Sequence, residues 1–504
     1  MGLIITMIII STILSGCIKP DTGTVFFKVS GPAIADEAAI QLEDEESDSA
    51  QALTIPSTQP TPTPNAPIQL PTQRFETLTY TVVSGDTLRK IAQKYQVSIS
   101  ELAKVNDISN PNLIEVGQEL LIPPPTYDKV SPAFKIIPDS ELVNSPSNAG
   151  FAVAEFINNS GGYLKNFSED IDGIPYSGAA IIQRVAVEYS VNPRLLLALL
   201  EYQSQWVTQA APDKETLSYP LRNFDTWREG LYKQLGWAAD LLNEGYYLWK
   251  INAISVWFLS DNSVVQVNPT INPGTAGVLN FLRYFQTTND WDFAVSEQGF
   301  YATYTDFFGY PFSSSVEPMI AEDIEQPLMQ LPFEKGVSWS FTGGPHGGWD
   351  SGSGWAALDF APPGDDFGCY TSDAWVTASA PGLIVYSDHG AVIQDLDGDG
   401  IWQTGWSILY MHIDGLDRVE VDTVLKAGDR IGHPSCEGGF SSGTHLHIAR
   451  RYNGEWVSAD DNLPMILDGW VSSGTGVEYD GYLTKDGIVL EAWDGRSPLN
   501  AIKR

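Results

Sequence analysis

Two histidines stand two positions apart in Ser442-Gly-Thr-His445-Leu-His447, in a chain of 504 residues that has only six histidines. Side chains alternate along a β-strand, so His445 and His447 would share one face if this stretch is extended. All six histidines lie between positions 346 and 447. Because neutral imidazole is a common zinc ligand, such clustering indicates a metal site.

A second segment supplies further candidate ligands, namely His346 and two carboxylates, Asp350 and Asp359. A catalytic zinc site uses three protein ligands and leaves one position for water. The run Leu358-Asp359-Phe360 has the apolar flanks of a buried strand, and the following Pro-Pro-Gly is typical of a turn. Asp350 sits in a Gly/Ser-rich run typical of a surface loop. Asp359 on a predicted buried strand and Asp350 in a predicted loop are thus alternative candidate ligands.

Four motifs occur in order: Gly-Gly-Pro-His346, Leu-Asp359-Phe, Tyr-Met-His412 and Gly-Thr-His445-Leu-His447. From about residue 331 to residue 457 the chain therefore resembles the lysostaphin-type zinc metallopeptidases, and more closely their beta-lytic branch, which cleave peptidoglycan peptides. The resemblance implies Zn²⁺ as cofactor, with His346, Asp359 and His447 as ligands. It also implies that His412 and His445 are catalytic, and it leaves open which of the two is the general base.

The other two histidines, His389 and His433, match no ligand position of that family. We expect structural or surface roles for both. Trp349, Trp355 and Tyr452 are candidates for the walls of the substrate groove. The sequence leaves open which peptide bond is cleaved.

Charge excludes one class of partner. The chain has 28 Lys and Arg against 63 Asp and Glu, a formal net charge of -35. Such a charge repels phosphate backbones, so we expect no nucleic-acid partner.

The first 16 residues contain an apolar run that is too short to span a bilayer and typical of a signal peptide. Leu14-Ser-Gly-Cys17 resembles the lipobox of bacterial lipoproteins, which implies lipidation of Cys17 and anchoring to the cell membrane. The alternative is a buried N-terminal strand with an incidental cysteine. An exported chain would then retain Cys369 and Cys436, which we predict to form a disulfide rather than two free buried thiols.

Residues 17–75 are acidic and then rich in Pro and Thr, a composition that predicts a disordered tether. Residues 76–125 predict the order strand, helix, helix, strand, with Ser98 and Glu101 as a capping box. From Tyr80-Thr-Val-Val-Ser-Gly-Asp-Thr-Leu to Val116-Gly-Gln-Glu-Leu-Leu-Ile-Pro this segment resembles a lysin motif (LysM). The resemblance implies a small βααβ module that binds the glycan of peptidoglycan.

Residues 126–320 carry helical patterns and predict an all-α middle domain. Its segment from Asn192 to Trp206 resembles the catalytic helix of lysozyme-like lytic transglycosylases, in which the acid Glu directly precedes Ser. Here Gln203 takes that place, and Glu201 lies about 200° around the helix from it. An amide cannot protonate a glycosidic oxygen. We therefore expect an inactive lysozyme-like domain or a plain helical spacer.

Residues 321–470 predict an antiparallel β-rich zinc peptidase domain, and residues 471–504 a C-terminal β extension. The acidic run from Asp395 to Asp399 resembles the start of a calcium loop. Trp406 stands where an EF-hand needs its last acidic ligand, so a hairpin turn is favoured over a calcium site.

Together these features predict a multidomain peptidoglycan hydrolase, lipid-anchored, extracytoplasmic and associated with the cell wall. A noncatalytic wall-binding scaffold or a regulator of another hydrolase is the alternative. A bifunctional enzyme with an active transglycosylase is disfavoured by Gln203.

Overall fold

A computed structural model describes residues 67–70, 72–127 and 129–504. The predicted signal peptide, the lipidation site Cys17 and most of the predicted tether lie outside the described residues. Within the described part of the chain, no helix is both long enough and apolar enough to cross a membrane.

The N-terminal module has the predicted βααβ order. Its elements are β1 (Leu78–Thr81), α1 (Leu88–Lys94), α2 (Ile99–Val105) and β2 (Glu119–Ile122). The two strands pair antiparallel. Thr87 caps α1, and the Ser98 side chain accepts from the Glu101 backbone N–H at 3.0 Å to cap α2. The predicted N-cap at Ser98 is therefore confirmed, while the Glu101 carboxylate accepts from the Thr126 hydroxyl at 3.1 Å.

The middle domain is mainly helical and has its own core. Its helices are α3 (Asp139–Leu142), α4 (Val153–Ser160), α5 (Gly178–Tyr189), α6 (Pro193–Ser204), α7 (Leu231–Lys250), α8 (Pro273–Leu282), α9 (Trp291–Ala294) and α10 (Phe300–Phe308). It also has two antiparallel pairs, β3 (Ser168–Ile171) with β4 (Ile174–Ser177) and β5 (Val256–Phe258) with β6 (Val264–Gln266). The structure differs from the all-α expectation by these hairpins. Asp172 and Gly173 both have positive φ, as a two-residue hairpin turn requires.

The C-terminal domain is antiparallel and β-rich, as predicted. Its strands are β7 (Ser338–His346), β8 (Ala357–Ala361), β9 (Val376–Thr377), β10 (Gly382–Asp388), β11 (Ala391–Asp395), β12 (Trp406–Met411), β13 (Val424–Leu425), β14 (Arg430–Gly432), β15 (Leu446–Tyr452), β16 (Glu455–Trp456), β17 (Ile466–Leu467), β18 (Trp470–Gly474), β19 (Gly481–Lys485), β20 (Ile488–Glu491) and β21 (Ala501–Lys503). The main sheet runs β13-β10-β11-β12-β15-β8-β7-β21, with β16 beside β15.

The predicted C-terminal extension is built into this domain. Strand β21 pairs with β7 at the edge of the main sheet, while β17 to β20 form a separate four-stranded sheet. Cys369 and Cys436 form the predicted disulfide, with their Cα atoms 5.5 Å apart. This bond joins the loop after β8 to the loop before β15.

The two faces of the main sheet pack against different partners. Leu358 and Ile448 are paired across β8 and β15 and point into the core of the peptidase domain. On the opposite face, Ala357 pairs with Ala449 in an apolar cluster that also contains Val187 of α5 and Tyr247 of α7. The helical domain therefore covers part of one sheet face. Asp359, two residues after Ala357 on β8, projects from this same face.

Candidate metal centre

Three predicted ligands meet at the ends of three adjacent strands. Asp359 on β8 is the register partner of His447 on β15, and His346 ends β7 beside them. Asp359 Oδ1 lies 3.2 Å from His346 Nε2 and 3.3 Å from His447 Nδ1, and the two ring nitrogens are 3.0 Å apart. Ligand pairs around a tetrahedral ion with bonds of about 2.0 Å are separated by about 3.3 Å. The three buried side chains could therefore hold one metal ion.

Backbone carbonyls select the nitrogen that each imidazole presents. His346 Nδ1 donates to Gly344 O at 2.7 Å, which leaves Nε2 with its lone pair directed at Asp359. His447 Nε2 donates to Gly348 O at 3.0 Å, which leaves Nδ1 as the free nitrogen. Such outer hydrogen bonds fix the tautomer and orientation of metal-binding histidines.

The Asp359 carboxylate is buried and lacks a hydrogen-bond donor at Oδ1. Burial alone would raise its pKa, but the neighbouring His346 and His445 outweigh that effect and hold the pKa well below its usual range. Gly343 makes room for this carboxylate, because a Cβ there would lie 2.7 Å from Asp359 Oδ2. A buried anionic oxygen without a donor suits coordination to a cation.

His412 and His445 lie beside this triad, with their ring centroids 4.4 Å apart. His445 Nδ1 donates to Gly443 O at 2.7 Å, and its Nε2 lies 3.7 Å from Asp359 Oδ1. His412 Nδ1 donates to Glu437 O at 3.2 Å, and burial together with His445 and His447 keeps its pKa well below the usual value. His412 is therefore a neutral base at neutral pH, with Nε2 free to accept a proton.

The backbone at His412 is unusual, with a φ of 64° directly after β12. Left-handed conformations cost a residue with a side chain free energy, and such strain is concentrated at functional sites. The surrounding structure holds this conformation through Ser435, whose backbone N–H donates to His412 O at 2.7 Å.

Asp350, the alternative ligand, is exposed in the loop between β7 and β8. Its Oδ2 accepts from the Tyr189 hydroxyl of the helical domain at 3.3 Å, and among the described residues the group that could hold a metal does not include it. The structure brings Asp359 to the histidines and leaves Asp350 outside.

Sequence reasoning missed Tyr479, which belongs to the segment between β18 and β19. Its ring stacks on His346 with centroids 4.2 Å apart and an interplanar angle of 20°. Burial and the nearby Asp359 raise the pKa of its hydroxyl, which therefore stays protonated. Tyr479 lies 133 positions after His346 in the sequence, and nothing in the strand pattern of the C-terminal extension indicates that the two residues are in contact.

The structure places the three aromatic residues that were predicted to line the substrate groove in different surroundings. Trp349 and Trp355 are partly buried in the loop beside His346. Tyr452 is not at the site: it lies five residues beyond His447 on β15, on the opposite face, and packs against Trp406. The expectation that Tyr452 lines the groove is therefore wrong, because an odd spacing along a strand reverses the face.

His389 and His433 lie outside the metal centre, as predicted. His389 contacts the Tyr176 hydroxyl of the helical domain. His433 donates from Nδ1 to Ala374 O at 3.0 Å and packs against Trp375.

The acidic run after β11 is the loop of a hairpin between β11 and β12. Carboxylate oxygens of Asp395, Asp397 and Asp399 lie within 4.8 Å of one another. Each of the three also accepts a backbone N–H of its own loop.

In the middle domain, the Glu201 carboxylate is engaged by the segment after α6. It accepts from the backbone N–H groups of Val207 and Thr208, both at 3.1 Å, and from the Thr208 hydroxyl. Gln203 Nε2 is buried and has no hydrogen-bond partner. Glu201 thus stabilises the turn after α6. Gln203, at the position before Ser204, carries an amide in place of a carboxylic acid.

Two family models match the chain. The LysM domain matches residues 80–123, and the LasA N-terminal domain matches residues 135–320. The lysozyme-like resemblance of the middle domain stays a prediction.

Three known proteins illustrate the similarity. Protease LasA of Pseudomonas aeruginosa is 26% identical over 288 residues, 54% of this chain and 65% of LasA, so the chain spans less than two thirds of that relative. Beta-lytic metalloendopeptidase of Lysobacter enzymogenes is 30% identical over 172 residues, 32% of this chain and 90% of the relative. The solved structure of the M23 metalloprotease pseudoalterin, from the deep sea, is 25% identical with a TM-score of 0.29, covering 36% of this chain and 99% of its own.

Proposed function

Because the chain belongs to the beta-lytic metalloendopeptidase family, we propose that it is a zinc-dependent endopeptidase that cleaves the peptide part of peptidoglycan. The matched relatives are proteases, one of them described as a metalloendopeptidase, and the LysM match supports an action at the cell wall. The sequence motifs and the chemistry of the five clustered side chains support the same conclusion.

The observation that carries this proposal is the triangle of His346, Asp359 and His447. Two nitrogen donors and one carboxylate, separated by 3.0 to 3.3 Å, are the donor set of a catalytic zinc site. Zinc bound there would polarise the scissile carbonyl and lower the pKa of a bound water toward about 7.

His412 and His445 supply the proton transfers. Because the His412 ring is neutral and its Nδ1–H is engaged by Glu437 O, its Nε2 can accept a proton from the attacking water. His445, whose Nδ1–H is engaged by Gly443 O, presents Nε2 on the same side. One imidazole takes the proton and returns it to the leaving amine, while the other would need a proton on Nε2 to donate a hydrogen bond to the developing oxyanion. Such proton transfer contributes about 10²- to 10⁴-fold to the rate.

The N-terminal module would hold the enzyme on its polymeric substrate. Binding glycan through the LysM module raises the local concentration of peptide at the metal centre without adding contacts there. A lipid on Cys17 and a tether over residues 17–75 would in addition anchor the enzyme to the outer side of the cell membrane and let it reach the wall.

Digestion of purified peptidoglycan by the full chain tests the proposal. New amine termini should appear with the zinc-loaded chain, disappear after zinc is removed by a chelator, and return when zinc is restored. Mass spectrometry of the fragments identifies the cleaved bond. If the zinc-loaded chain binds peptidoglycan but releases no amine from any wall type, the noncatalytic scaffold is the better account.

A further inference from the structure

The loop between β7 and β8 connects the helical domain to the metal centre. Gly348 in this loop supplies the carbonyl that accepts from His447 Nε2 at 3.0 Å. The position of this loop therefore decides the orientation of the His447 ring and the direction of its Nδ1 lone pair.

The loop itself is rich in glycine. Four of the eight residues from 347 to 354 are glycines, which lose more conformational entropy on ordering than any other residue. Its internal hydrogen bonds include the Gly348 N–H to Gly354 O at 3.0 Å and a group around Ser353, whose hydroxyl accepts from the Trp349 N–H at 3.0 Å and donates to Asp350 O at 2.7 Å. These bonds join the loop only to itself, so its placement beside His447 depends on contacts from outside the loop.

Helix α7 of the helical domain gives that support. Asp240 Oδ1 accepts from the Gly352 N–H at 2.7 Å. The loop lies directly on the helix there, because a Cβ on Gly352 would lie 2.2 Å from Asp240 O. About two turns further along α7, Tyr247 contacts Gly354, where an added Cβ would lie 3.0 Å from the Tyr247 ring.

The other side of the loop is closed by Trp456 of β16. A Cβ on Gly348 would lie 2.4 Å from the Trp456 ring, so only glycine fits between this ring and the metal centre. Trp456 is itself fixed by α7, since its backbone N–H donates to the Tyr247 hydroxyl at 2.9 Å. The loop is therefore held between helix α7 and Trp456, which α7 itself orients through Tyr247.

From these contacts we propose that Asp240 is a positioning residue for the metal centre: its hydrogen bond to Gly352 sets the loop that orients His447. The inference rests on the proposed function, since it assigns His447 to the metal. It gives the helical domain a part in zinc binding beyond spacing the LysM module from the peptidase domain.

The test compares Asp240→Ala with Asp240→Asn in the full chain. Alanine removes the acceptor, whereas asparagine keeps an oxygen that can accept from the Gly352 N–H. Alanine is also the best helix former, so α7 should stay intact in Asp240→Ala. Glu244→Ala is the matched control, because Glu244 lies one turn further on α7 and contacts Asn280 and Arg283 within the helical domain.

Zinc affinity is measured by competition with a chromophoric chelator, and kcat and KM are measured on the same preparations. Loss of an outer-shell partner typically weakens metal binding 10- to 100-fold, so we expect about a 10-fold loss for Asp240→Ala. Its kcat should fall with little change in KM, while Asp240→Asn and Glu244→Ala should stay within about twofold of the unmodified chain.

Two results would overturn the inference. One is an Asp240→Ala chain with unchanged zinc affinity and kcat, in which case the bond only tethers a surface loop. The other is an equal loss in Asp240→Asn, which would show that accepting from Gly352 is not what matters. An unmodified chain that binds no zinc defeats the proposed function instead, so the two failures are distinguishable.

Discussion

His447 and Asp359 are direct register partners across β15 and β8, and their ligand atoms lie 3.3 Å apart. Partners in adjacent strands project to the same face, so this pairing alone brings one imidazole and one carboxylate together. His346 completes the group at the end of β7, the next strand of the sheet. The β-sheet thus gives the metal centre two of its three ligands by register.

Replacing each of the two candidate carboxylates by an amide distinguishes their roles. Asp359→Asn removes the anionic oxygen between the two ligand histidines, so bound zinc should be lost together with activity. Asp350→Asn changes a residue whose carboxylate accepts from Tyr189 and from its own loop and which is not in the metal-binding group, so zinc should stay bound. Metal analysis of both purified variants checks this. Zinc retained in Asp359→Asn would show that the ligand assignment is wrong.

Gly343→Ala should weaken zinc binding without a change at any ligand. The added Cβ would lie 2.7 Å from Asp359 Oδ2, so the carboxylate must rotate or the strands must separate. Chelator competition should show weaker binding, by 10-fold or more. Gly415→Ala is a suitable control for the loss of a glycine, because its φ is not left-handed and a Cβ there would meet no atom closer than 3.6 Å. Equal affinities in both variants would contradict the argument from close packing.

Stability should depend on pH through Asp240. Burial and the nearby Asp350 raise its pKa to about 8, whereas an aspartate in the unfolded chain titrates near about 4. Between these values the folded chain holds a proton that the unfolded chain has released, so folding stability falls as pH rises from about 4 to 8.

The measurement is the melting temperature of the full chain from pH 5 to pH 8.5. Asp240→Asn cannot lose a proton there, so its melting temperature should decline less with pH, and the variant should exceed the unmodified chain most clearly at pH 8.5. Parallel curves for the two chains would mean that Asp240 is ionised in the folded protein throughout.

Much of the metal centre could be predicted because its motifs are local. The period of two in a strand puts His445 and His447 on one side, and the apolar flanks of Asp359 distinguish it from Asp350. The same rule shows why Tyr452 fails as a groove residue, since it lies an odd number of positions from His447.

Other parts of the site depend on contacts between distant segments, which the sequence does not record. Tyr479 reaches His346 because the C-terminal strands fold back beside β7, and Asp240 reaches Gly352 across a domain interface. The β3–β4 hairpin is a different case: its Asp172-Gly173 turn signal is present, but the helical patterns around it outweighed four-residue strands.

His447 on β15 is assigned as a metal ligand, and His445, directly before the strand, as a catalytic residue. The most direct measurement determines bound zinc and amine release from peptidoglycan on the same preparations of His447→Ala and His445→Ala. We expect His447→Ala to lose both zinc and turnover, and His445→Ala to keep zinc and lose at least 10²-fold in turnover. Zinc retained in His447→Ala, or full turnover in His445→Ala, would contradict it.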